Sequence, residues 1–376
     1  MRVLHFFKTY YPDSFGGVER TIHAIAKGSL AHGIHSNVLS LSREPFANTL
    51  EFDGHMAYKA KLDFEFASTG FSLEAISKFK ELTAEADIVH YHFPWPFMDL
   101  VHMLHPPGKP SIVTYHSDIV KQKFLLRLYK PLMHRFLGSI DCIVATSPNY
   151  ANSSEVLRRY SDKTEVIPIG LDESDYPRAS EEIKASWKAR FPEPFFLFVG
   201  VLRYYKGLHT LIEAAENVHA GILIAGEGPM GEELKQQTKR AGLSNVHFLG
   251  PVGDVDKAAL LELCTAFVFP SHLRSEAYGL SLVEAAMFGK PMITCELGTG
   301  TSFVNKDGKT GTVVPPRDAV ALANAMKMYL QNSDVLSSHA HGAMTRFRTE
   351  LGSKNMVKRY CEAYKKIFDD TQKVIR

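Results

Sequence analysis

Cysteine is scarce in this chain: 376 residues contain four, Cys142, Cys264, Cys295 and Cys361, and no two form a C-x-x-C pair. Such scattering excludes a disulfide frame and a thiolate zinc site, and it fits reduced core residues of a cytosolic protein. An excess of one charge sign is also lacking. The 43 Lys and Arg against 41 Asp and Glu leave a formal net charge of +2, with no Lys/Arg-rich run to grip a phosphate backbone, so nucleic acid is not an expected partner. No stretch approaches the ~18 consecutive apolar residues of a membrane span. The amino terminus, Met1-Arg2-Val3-Leu4-His5-Phe6-Phe7, enters a strand pattern directly, without the apolar core of a signal peptide. A cytoplasmic protein is expected, free to touch a membrane surface. Low-complexity tracts and short-period repeats are absent as well.

What is present is alternation. A length of 376 residues suggests two domains of ~150 residues each. Short apolar strand patterns at 3–6, 37–41, 88–91, 111–115, 142–146 and 165–167 are interleaved with helical patterns. The first of these helices runs over 17–32, with Gly33 at the C′ position, and Ser147-Pro148 forms a cap-and-N1 pair opening another. Residues 176–194, with prolines, charges and one short helical pattern, read as a connector. The alternation restarts with strands at 195–199, 222–225, 246–249, 266–269, 291–294 and 312–314, separated by helical patterns. The fold class is therefore α/β, with two Rossmann-like, doubly wound domains facing a cleft: 1–176 and 177–354.

One stretch organises the rest. The buried strand pattern 266–269 exits through Pro270 to Tyr278 into a helix beginning at Gly279. The first amides of that helix, near Gly279, Leu280 and Ser281, have no intrahelical partner and would hold a phosphate. Glu276 lies just before this pocket and Glu284 inside the helix. Carboxylates repel phosphate but accept hydrogen bonds from the hydroxyls of a sugar and a ribose on either side of a diphosphate. Two solvated surface glutamates would give the same spacing. Arg203 and Lys206 leave the 195–199 strand just before the next helix and read either as a diphosphate clamp or as two exposed loop cations. Gly226-Glu227-Gly228-Pro229-Met230-Gly231 spells G-x-G-x-x-G, but the next strand ends Leu249-Gly250-Pro251 without the acidic residue that a dinucleotide site needs for its ribose. In the first half, Gly16-Gly17 allows close backbone approach to a ligand or simply a tight turn. His116 follows the 111–115 strand, where an imidazole reaches a sugar hydroxyl or serves structure alone. Residues 121–137 are basic and amphipathic, fitting either an anionic membrane surface or a core helix with a solvated face.

Together, the Glu276/Glu284 pair enclosing Gly279-Leu280, the Gly200 to Gly207 loop, Gly226-x-Gly228-Pro229, Gly16-Gly17 and Thr114-Tyr115-His116 resemble the retaining family 4 glycosyltransferases of the GT-B fold. The resemblance implies that Glu276 and His116 are catalytic, meeting the donor sugar. It gives Glu284 to the ribose, Arg203, Lys206 and the amides at Gly279, Leu280 and Ser281 to the diphosphate, and Gly16 and Gly17 to the phosphate and acceptor side. It implies no bound metal and no cofactor beyond a nucleotide-sugar donor. It also implies a last helix, over 355–370, packed against the first domain. Where the family carries Arg directly after the glycine of its phosphate loop, this chain has Val201, with Arg203 two residues later. The 201–207 loop and Leu297-Gly298-Thr299-Gly300-Thr301 look like those of bacterial O-antigen and capsule mannosyltransferases. That makes GDP-mannose the expected donor and a lipid-linked oligosaccharide the expected acceptor, with peripheral membrane contact through 121–137. UDP-hexose transfer, a GT-B nucleotide-sugar epimerase or hydrolase, and a silent glycan-binding subunit remain open at this point.

Overall fold

The computed structural model describes residues 1–45, 49–119 and 123–375. The chain forms two compact units, Met1–Gly170 with Ser353–Arg376, and Leu171–Gly352. Among the described residues no helix is long and apolar enough to cross a membrane.

The first unit contains β1 (Arg2–Phe6), β2 (His35–Ser42), β3 (Thr49–Phe52), β4 (His55–Lys61), β5 (Phe64–Phe66), β6 (Thr69–Phe71), β7 (Ile88–Phe93), β8 (Ser111–Tyr115), β9 (Cys142–Ala145) and β10 (Thr164–Val166). Eight of them form one sheet in the order β10-β9-β8-β7-β1-β2-β4-β3, and β5 and β6 make a separate hairpin. Every pair in the large sheet is parallel except β3 with β4. The interior strands β7, β8 and β9 are buried at every residue, as befits a sheet covered on both faces. The order reverses at β1, whose neighbours are β2 and β7. The carboxyl ends of β1 and β7 therefore form a switch point, where such sheets bind ligands.

The first helix is Gly17–Ser29, shorter than expected because its last turn tightens to a 3₁₀ turn, Leu30–His32, before Gly33 at φ 72°. The β3–β4 hairpin was not anticipated, although its two-residue turn, Asp53-Gly54, carries positive φ at both positions in the manner of a type I′ turn. The basic helix runs over Lys123–Ser139, while Lys121 and Gln122 lie outside the described residues. The last helix, Ser353–Ile375, packs in this unit. A Cβ at Gly28 would come within 2.6 Å of Val357, and Lys366 Nζ meets Glu165 at 2.6 Å.

The second unit contains β11 (Phe195–Val199), β12 (Gly221–Ala225), β13 (Val246–Gly250), β14 (Ala266–Phe269), β15 (Met292–Cys295) and β16 (Gly311–Val314). They form a six-stranded parallel sheet ordered β13-β12-β11-β14-β15-β16, which puts the switch point between β11 and β14. The connector reading of 176–194 is corrected here. The helix Glu181–Arg190 packs within this unit, and its Trp187 Nε1–H donates to Asp256 at 2.8 Å. The Leu171 amide donates to Leu351 O at 3.1 Å, so the segment leading to Tyr176 belongs to the unit too.

Candidate functional site

The loops leaving β11 and β14, on either side of the second unit's switch point, carry the residues that the sequence singles out. β11 exits through Gly200 to a 3₁₀ turn, Tyr204–Lys206, closed by Gly207 at φ 70°. A Cβ on Gly207 would lie 2.0 Å from Pro270 O, so only glycine lets this turn nest against the end of β14. The nesting brings Lys206 Nζ to 2.5 Å from Glu276 Oε2, and Ser271 Oγ–H reaches the same oxygen at 3.5 Å. Both ends of the ion pair are nearly withdrawn from solvent, with 12% and 10% of their side chains exposed. Lys206 Nζ also lies 4.4 Å from the centroid of the Phe269 ring. In this structure Lys206 neutralises Glu276. A diphosphate entering the loop would compete with Glu276 for the same ammonium.

Gly279 caps the next helix, Leu280–Met287, at φ 86°, and the first amides of that helix lack intrahelical acceptors. Glu284, inside the helix, is 7% exposed. Its Oε1 accepts from Tyr176 O–H at 3.0 Å and from Lys257 Nζ at 3.1 Å, and Lys257 also meets Asp254 at 3.0 Å. Tyr176 and Lys257 were not anticipated. They lie 108 and 27 residues from Glu284 in sequence, a separation no local pattern encodes. Arg203 stands exposed on its loop, beside Val201, which is 50% exposed. Arg274 was also missed: its Nη1 donates to Leu297 O and Gly298 O, tying the Glu276 loop to the 297–301 turn.

The formal G-x-G-x-x-G serves packing. The Gly226 amide donates to Gly250 O at 2.7 Å, and a Cβ on Gly226 would fall 2.1 Å from Gly200 O. The exits of β11, β12 and β13 are thus drawn together. His272, next to Ser271, is buried with neither ring nitrogen hydrogen-bonded among the described residues, and burial lowers it to about 4.

In the first unit, Gly16 and Gly17 open the Gly17–Ser29 helix without a side-chain cap and are exposed. Glu19 folds back over them: a Cβ on Gly16 would lie 2.5 Å from Glu19 Oε2. Thr9 and Ser14 hydroxyls donate to Glu19 Oε1 at 2.8 and 2.7 Å. A cavity of about 520 Å³ near the ends of β1 and β2 is lined by Lys8, Thr9, Asp13, Ser42 and Arg43, among others. His116 follows β8 directly, its amide donating to Phe93 O at 3.0 Å, and its ring lies in a cluster with His92, His5 and His90. Burial lowers His116 and His5 to about 3 and holds His90 and His92 well below the ordinary imidazole value, so all four rings are neutral. Ring nitrogens of His5, His90 and His92 come within 4.8 Å of one another. They do not form a ready ligand set, because His90 spends both nitrogens on Tyr364 and Thr114 while His5 Nδ1 is bonded to His92 Nε2.

The family model described as "Glycosyltransferase Family 4" matches residues 15–175, and the one described as "Glycosyl transferases group 1" matches residues 179–343. The D-rhamnosyltransferase WbpZ of Pseudomonas aeruginosa is 52% identical over 93% of this chain and 91% of that protein. The chain is a family 4 glycosyltransferase. The O-antigen chain mannosyltransferase C of Escherichia coli is 46% identical to this glycosyltransferase, over 97% of this chain and 98% of that one. Among solved structures, sucrose-phosphate synthase from Thermosynechococcus elongatus matches with a TM-score of 0.81 at 20% identity, over 98% and 99% of the two chains. Anabaena HepE in complex with UDP and glucose matches with a TM-score of 0.78 at 19% identity, over 97% and 100%. The glycosyltransferase therefore has the GT-B fold. It contains a single D-x-D sequence, Asp254-Val255-Asp256. Both carboxylates have partners within the protein, Asp254 with Lys257 and Asp256 with Trp187.

Proposed function

We propose that this glycosyltransferase moves a mannose-configured hexose from a GDP donor, with retention, onto a lipid-linked oligosaccharide in O-antigen assembly. What carries the reading is the near full-length similarity to two transferases of mannose and D-rhamnose, one of them named for the O-antigen chain. The second unit's loops offer a matching set of groups. Lys206, the helix amides at Gly279, Leu280 and Ser281, and Arg203 take the diphosphate without a resident metal. Glu284 takes the ribose hydroxyls, and Glu276, released as Lys206 turns to phosphate, takes hydroxyls of the sugar. Gly16 and Gly17 serve the phosphate and acceptor side, and His116 meets the donor sugar.

Charge gathers on the leaving diphosphate as the glycosidic bond breaks, and that is where cations and amides are aimed. One such preorganised donor contributes ~3 kcal/mol to transition-state stabilisation. The leaving phosphate then accepts the proton of the incoming hydroxyl on the same face of the sugar, which preserves configuration. The cavity lined by Lys8, Asp13 and Arg43 offers these polar groups to acceptor hydroxyls.

The reading includes a cytoplasmic protein touching a membrane surface through residues 121–137, as access to a lipid-linked acceptor requires. Leu128 is 68% exposed on the basic helix, and Phe66 on the β5–β6 hairpin is 63% exposed. Both line an apolar cavity of about 310 Å³.

A second donor is favoured by the 52% identity to a D-rhamnosyltransferase. D-rhamnose is mannose without its 6-hydroxyl, and a site that hydrogen-bonds that hydroxyl rejects the deoxy sugar strongly. Competing GDP-mannose against GDP-D-rhamnose on a lipid-linked oligosaccharide fraction, with the anomeric linkage read by NMR, tests donor and stereochemistry together. An α-linked product from one or both donors supports the reading. A β-linked product overturns retention, and release of free sugar without an acceptor points to a hydrolase.

A further inference from the structure

β1 and β7 are neighbours in register, with His5 opposite His90, and His92 lies two residues beyond His90 on the same face of β7. His92 is opposite Thr114 on β8, and His116 lies two residues beyond Thr114. Strand alternation thus puts four imidazoles and a threonine on one face of the sheet. His5, His90 and His92 are wholly buried and His116 is 9% exposed. The rings of His90 and His92 stack with centroids 4.3 Å apart, and Tyr364 O–H at 2.6 Å and Thr114 Oγ at 2.8 Å fix the outer ring of that stack.

Three of these rings form an unbranched chain of hydrogen bonds. His5 Nδ1 is 3.1 Å from His92 Nε2, and His92 Nδ1 is 3.1 Å from His116 Nε2. A neutral imidazole has one N–H and one lone pair, and all links here are nitrogen to nitrogen, so the protons must all point the same way. Only two orders are consistent. With all three protons on Nε2, the chain ends at His5 in a buried N–H with no protein partner. With all three on Nδ1, it ends there in an unused lone pair. His5 Nε2 is the atom left without a partner among the described residues. An orphaned buried N–H is the rarer and more costly of the two ends.

We propose that His92 and His5 are positioning residues that lock His116 as its Nδ1–H tautomer, so that the ring offers a hydrogen-bond donor at its one nitrogen not bonded to another described residue. Because the chain ends blind at His5, it cannot resupply a proton. A proton given up at His116 Nδ1 would have to be replaced from a ring that has no second N–H. His116 is therefore a fixed donor to an electron-rich oxygen and not a general acid. The tautomer lock stands on geometry alone, while its consequence for catalysis rests on the reading that His116 meets the donor sugar.

The test is ring ¹⁵N–¹H correlation NMR on the full-length protein labelled at histidine, in the wild type and in His5→Phe and His92→Leu. The expected wild-type spectrum has His116 protonated at Nδ1 and bare at Nε2. In His5→Phe, which leaves every His116 contact in place, His92 is free to turn over, and His116 is expected to gain an Nε2–H population. A wild-type His116 protonated at Nε2 overturns the proposal. So does a His116 tautomer unchanged in both variants. Should His5→Phe fail to fold, the wild-type spectrum and His92→Leu still decide. Loss of one transition-state hydrogen bond corresponds to roughly tenfold in kcat, expected in His5→Phe with donor KM little changed. If the tautomer shifts and kcat does not, the lock stands and the placement of His116 at the sugar fails.

Discussion

Lys206 and Glu276 hold one another at 2.5 Å with about a tenth of each side chain exposed. Removing one partner from such a pair leaves the other charge buried and uncompensated. Lys206→Met is expected to cost ~3–5 kcal/mol in stability, and Glu276→Gln in the same chain to recover most of it, as measured by urea unfolding of the single and double variants. All three variants should be inactive. A double variant as unstable as Lys206→Met would mean that the pair does not act as a unit. Lys206 and Glu276 were legible in the sequence because each lies in a strand-exit loop, and Glu284 and the first helix amides because the second of these loops feeds their helix. Tyr176 and Lys257 were not, since only the folded chain brings them to Glu284. Nor was the histidine chain read, although His90 and His92 two apart on an apolar strand pattern put two imidazoles on one buried face. The signal was present but diluted among 17 histidines.

Among elements, the turn Tyr204–Lys206 depends on what Gly207 lacks. Alanine at 207 would combine a left-handed φ of 70° with a Cβ 2.0 Å from Pro270 O. Gly33 offers the control: its φ is 72°, but nothing lies within 4 Å of its Cβ position. Gly33→Ala is expected to lose only the left-handed penalty of ~1–2 kcal/mol. Gly207→Ala should lose clearly more and weaken nucleotide binding, by urea unfolding and calorimetry respectively. Equal losses at the two positions would remove the argument that Gly207 nests the loop. The strands of both sheets other than β3 and β4 were readable because sheets covered on both faces leave continuous apolar runs. The β3–β4 hairpin was passed over, since β3 alternates only weakly between exposed and half-buried positions and its signal reduces to the Asp53-Gly54 turn. The short helix Gly300–Val304 was missed too, being little more than one turn.

For the whole molecule, most of the buried histidines belong to the first unit, with only His272 and His339 in the second among the described residues, and they make the first unit's stability depend on pH. His5 and His116 are lowered from 6.5 to about 3, and His55 and His102 to about 4. Between those values and 6.5 the unfolded chain binds protons that the folded unit refuses. Stability is therefore full above pH ~6.5 and falls as pH drops toward 3, at about 1.4 kcal/mol per pH unit for each such histidine. Hydrogen exchange should show the amides of β1, β7 and β8 losing protection between pH 7 and pH 5, while those of β12, β14 and β15 change less. Uniform loss across both units would place the acid sensitivity elsewhere. The division into two α/β units was legible from the restart of strand alternation at 195–199. The membership of 171–176 was not, because its ties to Leu351 and Glu284 are long-range.

The most direct measurement is calorimetric titration of GDP, GDP-mannose and UDP-glucose into the purified protein in the presence of EDTA, repeated with Glu284→Ala. The proposed donor site predicts binding of the guanine pair without metal, stronger than UDP-glucose, and weakened at least tenfold in Glu284→Ala, about the loss of one charge-assisted hydrogen bond. No binding of any nucleotide, or binding indifferent to Glu284→Ala, would contradict it.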